Sequence, residues 1–327
     1  MAVSNRTRQS AENVAKEFGI NEVYDDWNDL VVSPDLDAIV IGTWPNTHHP
    51  ITLAALEAGK HVLCEARMAM DSVQAREMLD ASNRRPELTA HLVPSPLSFR
   101  VDNTVRRLLD EGALGELFAV DIDFKDGSFP ETDTALHWRE DRALSGNNIM
   151  ALGIWYETLM RWVGPAQSVF ALGQISQSTR SGPDGPVELS IPDHIDVTAA
   201  FPAGFQTHFQ ISTSAGLTPA NQATLFGTDG TLRFDDGSLL MGRRGDSALS
   251  PVEIPPSEAG EWTVEEDFIE SIRGSEDRAT TDFETGVRYM EFTDAVWSSM
   301  AERRLIDLPL RSSVDDTREI LKKESSF

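Results

Sequence analysis

One cysteine, Cys64, stands among 327 residues. It excludes an internal disulfide and makes a reducing cytoplasm the simplest location. Lysine is almost as scarce: Lys16, Lys60, Lys125, Lys322 and Lys323 are the only lysines among 28 basic residues. No apolar run approaches the roughly 18–20 residues a bilayer-crossing helix needs. Met1 is followed by polar Ser4-Asn5-Arg6-Thr7, without a signal-peptide pattern. Basic residues are outnumbered by 53 acidic ones, for a net charge of −25 and a pI of about 4.5. Such a surface repels nucleic-acid phosphates and anionic lipid, which removes both as partners. Carboxylates with few lysines suit a hydrated surface in high salt, or equally an acidic, arginine-rich mesophile. There is no Gly-x-Ser-x-Gly elbow and no P-loop. His48-His49 has no Cys, His, Asp or Glu set at ligand spacing nearby, so no metal site is expected.

The length suffices for two ordinary domains. Ala2–Ser4 reads as a short strand. Ser10 to Phe18 reads as an amphipathic helix with Ala11, Val14, Ala15 and Phe18 on one face, stopped at Gly19. Val23-Tyr24 is a second strand. Asp37 to Gly42 is continuously apolar, as in a parallel strand buried on both faces. A helix over Ile51–Ala58, a strand over His61–Glu65 and a helix capped by Asp71-Ser72 follow. From about Gly115 strands dominate and alternate inside with outside, and Gly227-Thr228-Asp229-Gly230 marks a hairpin turn. One helix, about Asn147 to Val163, interrupts them, and Ser178 to Pro186 reads as an exposed loop. The expected fold is therefore α/β: a Rossmann-like doubly wound parallel sheet over 1–115, followed by an α+β domain with a large, mostly antiparallel sheet over 116–327.

The stretch Asp37 to Arg67 carries the strongest signal. It runs Asp-Ala-Ile-Val-Ile-Gly-Thr, Trp-Pro-Asn-Thr-His, a helix ending Leu-Glu-Ala-Gly-Lys, then His-Val-Leu-Cys-Glu-Ala-Arg. With Gly112-Ala113-Leu114-Gly115-Glu116, Trp138-Arg139, Ser145-Gly146 and Gly164-Pro165 in the same order, it resembles the Gfo/Idh/MocA oxidoreductases over essentially the whole chain. The resemblance implies an NAD(P)-dependent dehydrogenase of a sugar, cyclitol or related small molecule, with a homodimer or homotetramer formed through the sheet domain. It also implies cofactor contacts at Thr43, Trp44, Asn46 and His48 after one strand, and at Glu65 and Arg67 after the next.

One part of the pattern is missing. A doubly wound domain opens with a strand, a glycine-rich turn and a helix, and no G-x-G-x-x-G lies near this N-terminus. The chain reads as opening at the family's second strand. Two accounts follow: a segment upstream of Met1 carries the glycine turn, or the sheet has closed up, pairing the second strand with the fourth, and dinucleotide binding is weakened. The family pattern kept by the helix after Thr7 and the strand at Val23 favours the first. After that second strand, Ser4, Asn5, Arg6 and Thr7 lack the acidic residue that holds an NAD ribose, and Arg6 suits a 2′-phosphate. NADP, or else NAD, is the expected cofactor if the segment exists; a solvated arginine at a helix start is the alternative for Arg6.

In the family, a lysine, an aspartate and a histidine normally carry the chemistry. By the resemblance, their positions here are Ala66, Ala151 and Trp155. His91 and His137 are the candidate proton-transfer groups. Arg67 can polarise an oxygen but hardly act as a base. Trp138, Arg139, Asn147, Trp155 and Tyr156 are the candidate substrate contacts. Two further readings remain open: a non-catalytic ligand-binding or assembly relative without cofactor, and a redox-neutral lyase or isomerase.

Overall fold

The computed structural model describes residues 1–130, 134–182, 185–219, 221–235, 237–274 and 280–310. The elements run β1 (Ala2–Ser4), α1 (Arg8–Phe18), β2 (Glu22–Tyr24), α2 (Trp27–Val31), β3 (Ala38–Ile41), α3 (Pro45–Glu57), β4 (His61–Cys64), α4 (Ser72–Asn83) and β5 (Ala90–Leu92). Next come α5 (Phe99–Asp110), β6 (Leu117–Gly127), α6 (Arg142–Ser145), α7 (Leu152–Val163), β7 (Ser168–Gln174), β8 (Thr179–Gly182), β9 (Gly185–Glu188) and β10 (His194–Ala200). Then follow β11 (Gln206–Gly216), β12 (Gln222–Gly227), β13 (Gly230–Asp235), β14 (Ser238–Arg243), β15 (Ser250–Pro251), α8 (Val264–Ile272), α9 (Phe283–Glu302) and β16 (Ile306–Asp307).

By packing, the chain forms two discontinuous units. The first comprises 1–96, 141–148 and 261–290; the second comprises 97–140, 149–260 and 291–327. The contiguous division read at Gly115 follows chain order, whereas α5 groups with the second unit because Asp102 on it pairs with Arg161 of α7 at 2.9 Å.

The first unit holds two parallel sheets. β1 pairs with β2, Val3 opposite Val23. β3, β4 and β5 pair in that order, with Val40 opposite Leu63 and Leu63 opposite His91. Among the described residues no ladder joins β1 to β3, so the closed-up sheet has not formed. The consequence is visible on β3. Ile39 and Ile41 are buried, but Val40 faces the other side and is 66 % exposed, against the expectation of burial on both faces. Parallel strands normally have helices on both faces, and the exposure of Val40 leaves this face open among the described residues. Phe18 is likewise exposed rather than buried with Ala11 and Ala15; α1 packs mainly on the two short strands β1 and β2. The buried Lys60 donates from Nζ to the carbonyls of Ser33 (2.8 Å) and Leu36 (2.5 Å), fixing the loop before β3.

The second unit is built on a nine-stranded sheet of order β15-β14-β13-β12-β6-β11-β10-β7-β16. Every neighbouring pair is antiparallel except β6 with β11. Period-two alternation buries Val120, Ile122, Val197, Phe209, Ile211, Leu225 and Phe234. Tyr156 of α7 stacks on Phe292 of α9 at 3.7 Å and touches Phe209.

Two local expectations are corrected. The helix read from Asn147 begins at Leu152, because Met150 adopts φ 41°, a left-handed geometry no helix can run through. The segment Ser178–Pro186 is not a plain loop: β8 and β9 form an antiparallel hairpin with Arg180 opposite Val187.

Candidate functional site

In the first unit, the carboxyl ends of β1, β2 and β3 surround a cavity of about 580 Å³. One wall is Ser4, Asn5, Arg6 and Thr7, which follow β1. Another is Gly42, Thr43, Trp44, Asn46 and Thr47, which follow β3. Ser10, Asp25, Asp26, Trp27, Ile51 and Leu144 complete it. Ligands of open α/β sheets bind in this position, outside the carboxyl ends of the strands.

Local chemistry sets each wall. Thr7 caps α1, its side chain accepting from Ser10 N at 3.2 Å. Arg6 lies over the Trp44 ring, 4.6 Å from guanidinium carbon to centroid, a cation–π stack. Arg8, the neighbouring cation, is engaged by Glu12 and Asp25 at 2.8 and 3.2 Å. Asp26 caps α2, and its bonds from Asn28 hold its carboxyl below the usual range. Pro45 takes the first position of α3, where a missing N–H costs nothing. Asn46 and His48, expected in a loop, therefore sit on this helix; only Thr43 and Trp44 precede it. Thr47 Oγ1 donates to Thr43 Oγ1 at 2.6 Å. Asn46 Oδ1 is buried and accepts no hydrogen bond from the described residues.

The loop after β4 is held at nearly every residue. Ala66 N–H donates to the Glu65 carboxylate at 3.2 Å. The Arg67 carbonyl faces His48 Nδ1 at 3.0 Å. Met68 N–H donates to Tyr289 Oη at 2.6 Å, Asn148 Nδ2 donates to the Ala69 carbonyl at 2.9 Å, and Asn147 N–H donates to the Met70 carbonyl at 2.7 Å. His48 is fully buried, and its Nε2 lies 3.0 Å from the Thr43 carbonyl. Burial pushes its pKa down, opposed by the surrounding carbonyls. Burial raises the Glu65 carboxyl, with the Glu265 carboxylate adding to it and the Ala66 N–H opposing.

The expected cofactor residues thus divide. Ser4, Asn5, Arg6, Thr7, Thr43, Trp44 and Asn46 line one cavity. His48, Glu65 and Arg67 do not line it; His48 joins its wall to the next loop, and Arg67 is buried in that loop. Of the proton-transfer candidates, His91 is buried on β5 beside Phe268 at 5.7 Å. His137 is exposed in the second unit, its Nδ1 accepting from Arg139 N at 3.3 Å. Arg139 stacks on Trp138 at 4.2 Å. Asn147 accepts from Arg142 through Oδ1 at 2.7 Å. Trp155 is 2 % exposed and packs edge-on to Phe234 at 6.2 Å, with its Nε1 lacking a hydrogen-bond partner among the described residues. Tyr156, expected near substrate, is instead a core residue: its ring is stacked and its hydroxyl accepts from Ala166 N at 2.9 Å. Among the described residues no His, Cys, Asp or Glu group could hold a metal ion, and no helix is long and apolar enough to cross a membrane.

Sequence reading missed Thr47 and Asp25-Asp26-Trp27 as wall residues. The latter carried a usable signal, since they directly follow a strand of the parallel set. It also missed Asn148 and Tyr289, which no local pattern marks, because they reach the loop from 79 and 221 residues away.

A parallel nucleotide-type unit with a strand-end cavity, combined with a large open sheet, defines the class of two-part dinucleotide oxidoreductase folds. Residues 1–90 match the family described as "Oxidoreductase family, NAD-binding Rossmann fold", and residues 103–233 match the "GFO/IDH/MocA C-terminal domain". The chain belongs to the Gfo/Idh/MocA family. It is 27 % identical over 236 residues to the trans-1,2-dihydrobenzene-1,2-diol dehydrogenase of Bos taurus, a match covering 72 % of this chain and 66 % of that one. It is 26 % identical over 143 residues to the levoglucosan dehydrogenase of Pseudarthrobacter phenanthrenivorans, covering 43 % of this chain and 36 % of that enzyme. The matched part thus spans less than two thirds of these relatives' length. Among solved structures, an NAD binding oxidoreductase from Klebsiella pneumoniae shares the fold at TM-score 0.82 and 22 % identity, covering 95 % of this chain and 90 % of that one.

Proposed function

We propose that this protein is an NAD(P)-dependent oxidoreductase acting on a sugar, cyclitol or related diol, with a non-standard catalytic set. The observation that carries this reading is the cavity in which Arg6 and Trp44 stack between the ends of β1 and β3. Its residues fit the adenosine end of a dinucleotide. Arg6, with Ser4, Asn5 and Thr7, offers donors for a 2′-phosphate, and the absence of an acid directly after β1 favours NADP over NAD. The buried acceptor Asn46 Oδ1 suits a ribose hydroxyl. The names of the relatives, a dihydrodiol dehydrogenase and an anhydrosugar dehydrogenase, support the substrate class.

The nicotinamide, when bound, supplies the hydride acceptor or donor. The chain's own part is to hold it and to move one proton. With Ala66, Ala151 and Trp155 at the family's lysine, aspartate and histidine positions, the proton falls to His91 or His137, and Arg67 contributes at most a fixed positive charge. A fluorescence titration with NADPH and NADH tests the reading, on this 327-residue chain and on one extended at its N-terminus by a strand, glycine turn and helix. Micromolar binding to either supports it; no binding to both removes it. The assembly proposed is a homodimer or homotetramer through the sheet domain, where Phe170 and Leu172 are exposed; a monodisperse monomer in sedimentation would count against it.

A second reading, a ligand-binding or assembly relative without redox chemistry, is favoured by the simultaneous replacement of all three polar positions. Cofactor-free chain that binds polyol but neither dinucleotide would establish it.

A further inference from the structure

The ring of His48 makes two contacts that a neutral imidazole cannot make equally well. Nε2 lies 3.0 Å from the Thr43 carbonyl and Nδ1 lies 3.0 Å from the Arg67 carbonyl. Both partners are acceptors only, and neutral imidazole has a single N–H. The two carbonyls belong to different loops. Thr43 and Trp44 are wall residues of the strand-end cavity. Arg67 begins a loop fixed without help from His48, by Tyr289 on Met68, Asn148 on Ala69, Asn147 on Met70 and Gln74 Oε1 accepting from Met70 N–H at 3.2 Å. On the cavity side, Thr43 Oγ1 accepts from the Thr47 hydroxyl at 2.6 Å, and the Trp44 carbonyl accepts from Thr47 N–H at 3.0 Å and Thr47 Oγ1 at 3.1 Å.

We propose that His48 is a positioning residue: it bolts the Thr43–Trp44 wall of the nucleotide cavity to the independently fixed Arg67–Met70 loop, and so sets where Trp44 stacks. The inference deepens the dinucleotide reading and rests on it for its functional arm only. The neutral ring has one N–H, and its Nε2–H tautomer is the one that ties the Thr43 carbonyl. Two elements beside α3 bear on the ring: the loop after β3, through the Thr43 carbonyl, and the loop after β4, through the Arg67 and Met68 carbonyls and the Arg67 charge. The carbonyls favour the charged ring, whereas burial and the Arg67 guanidinium disfavour it. Arg67 is the charged side chain acting on it among the described residues.

Asparagine places its amide nitrogen where Nδ1 sits, and glutamine places it where Nε2 sits. His48→Gln therefore keeps the bond to the Thr43 carbonyl, and His48→Asn keeps only the bond to Arg67. Native-state hydrogen exchange reads the two loops separately. Losing one buried hydrogen bond corresponds to roughly tenfold, so His48→Ala and His48→Asn should speed exchange over residues 42–47 by about that factor. Residues 66–70 and the second unit should change by less than about twofold, and His48→Gln should stay within about threefold of the parent over 42–47. Equal behaviour of the Asn and Gln variants, or unchanged exchange over 42–47, would overturn the proposal. So would equal acceleration over 66–70, because that is ordinary core destabilisation. Affinity for NADPH and for NADH is the second arm. Binding of either to the parent with His48→Asn weakened about tenfold supports the bolt, and parental affinity in His48→Asn rejects it. If the parent binds no dinucleotide, the functional reading fails and the exchange pattern alone decides the role of His48.

Discussion

Arg6 and Trp44 stack at 4.6 Å although they follow strands, β1 and β3, that share no ladder among the described residues. A cation and an indole thus close one cavity across a sheet divided in two. The stack holds the guanidinium at the cavity wall.

The Arg6→Ala variant should bind NADPH roughly 10- to 100-fold more weakly, the scale of a lost hydrogen bond to a charged group. NADH affinity should change by less than about threefold, since no charge on NADH meets that position. Isothermal titration with both nucleotides distinguishes this from a general loss of the cavity, in which the two fall together.

The Gly146→Ala variant should destabilise the first unit. Gly146 has φ +66°, and an added Cβ would lie 2.2 Å from the Met70 carbonyl oxygen, a main-chain atom that cannot turn aside. A cost of about 2–4 kcal/mol follows from the clash and the left-handed backbone together, and a urea midpoint measurement reads it.

The Asp102→Ala variant should cost the second unit about 1.5–3 kcal/mol, because Arg161 Nε and Trp162 Nε1 lose their buried acceptor while Arg161 keeps Glu157. Asp102 accepts from Arg161 Nε at 2.9 Å and from Trp162 Nε1 at 2.6 Å, while Arg161 also meets Glu157 at 2.9 Å. The fluorescence of Trp162 should shift in the folded variant; an unchanged spectrum and midpoint would contradict the packing described.

Acid should weaken the fold through His48. Its pKa is lowered in the folded protein from 6.5, so the unfolded chain binds the extra proton first. The contribution is intact above pH 6.5 and is lost as pH falls from there through the folded value. The slope in that window reaches at most about 1.4 kcal/mol per pH unit. Unfolding free energies of the parent and His48→Asn, measured from pH 7.5 to 5, should differ in slope only there.

Cys64 should be silent toward thiol reagents in the native state. It is fully buried, and burial drives its thiol far above the ordinary range. Ellman's reagent at pH 8 should label it only after denaturation, which makes it a convenient reporter of first-unit opening.

Much of the architecture was legible because it is local. Apolar periodicity placed α1, and a continuous apolar run placed β3. Alternation after Gly115 marked the large sheet. The cavity residues after β3 were expected from the family resemblance, and those after β1 from the place that meets the adenosine ribose in dinucleotide domains. The β8–β9 hairpin was not, since Ser, Gly and Pro suit either a loop or an edge hairpin and only pairing decides.

The sequence by itself determined the family and the order of most elements, because these are properties of neighbouring residues along the chain. Tertiary structure alone decided that β1 and β3 remain unpaired, that Tyr156 is core, and that His48 joins two loops while Tyr289 holds one of them. Each of those depends on contacts between distant segments, and a hydrogen bond across 221 residues leaves no period or spacing to read.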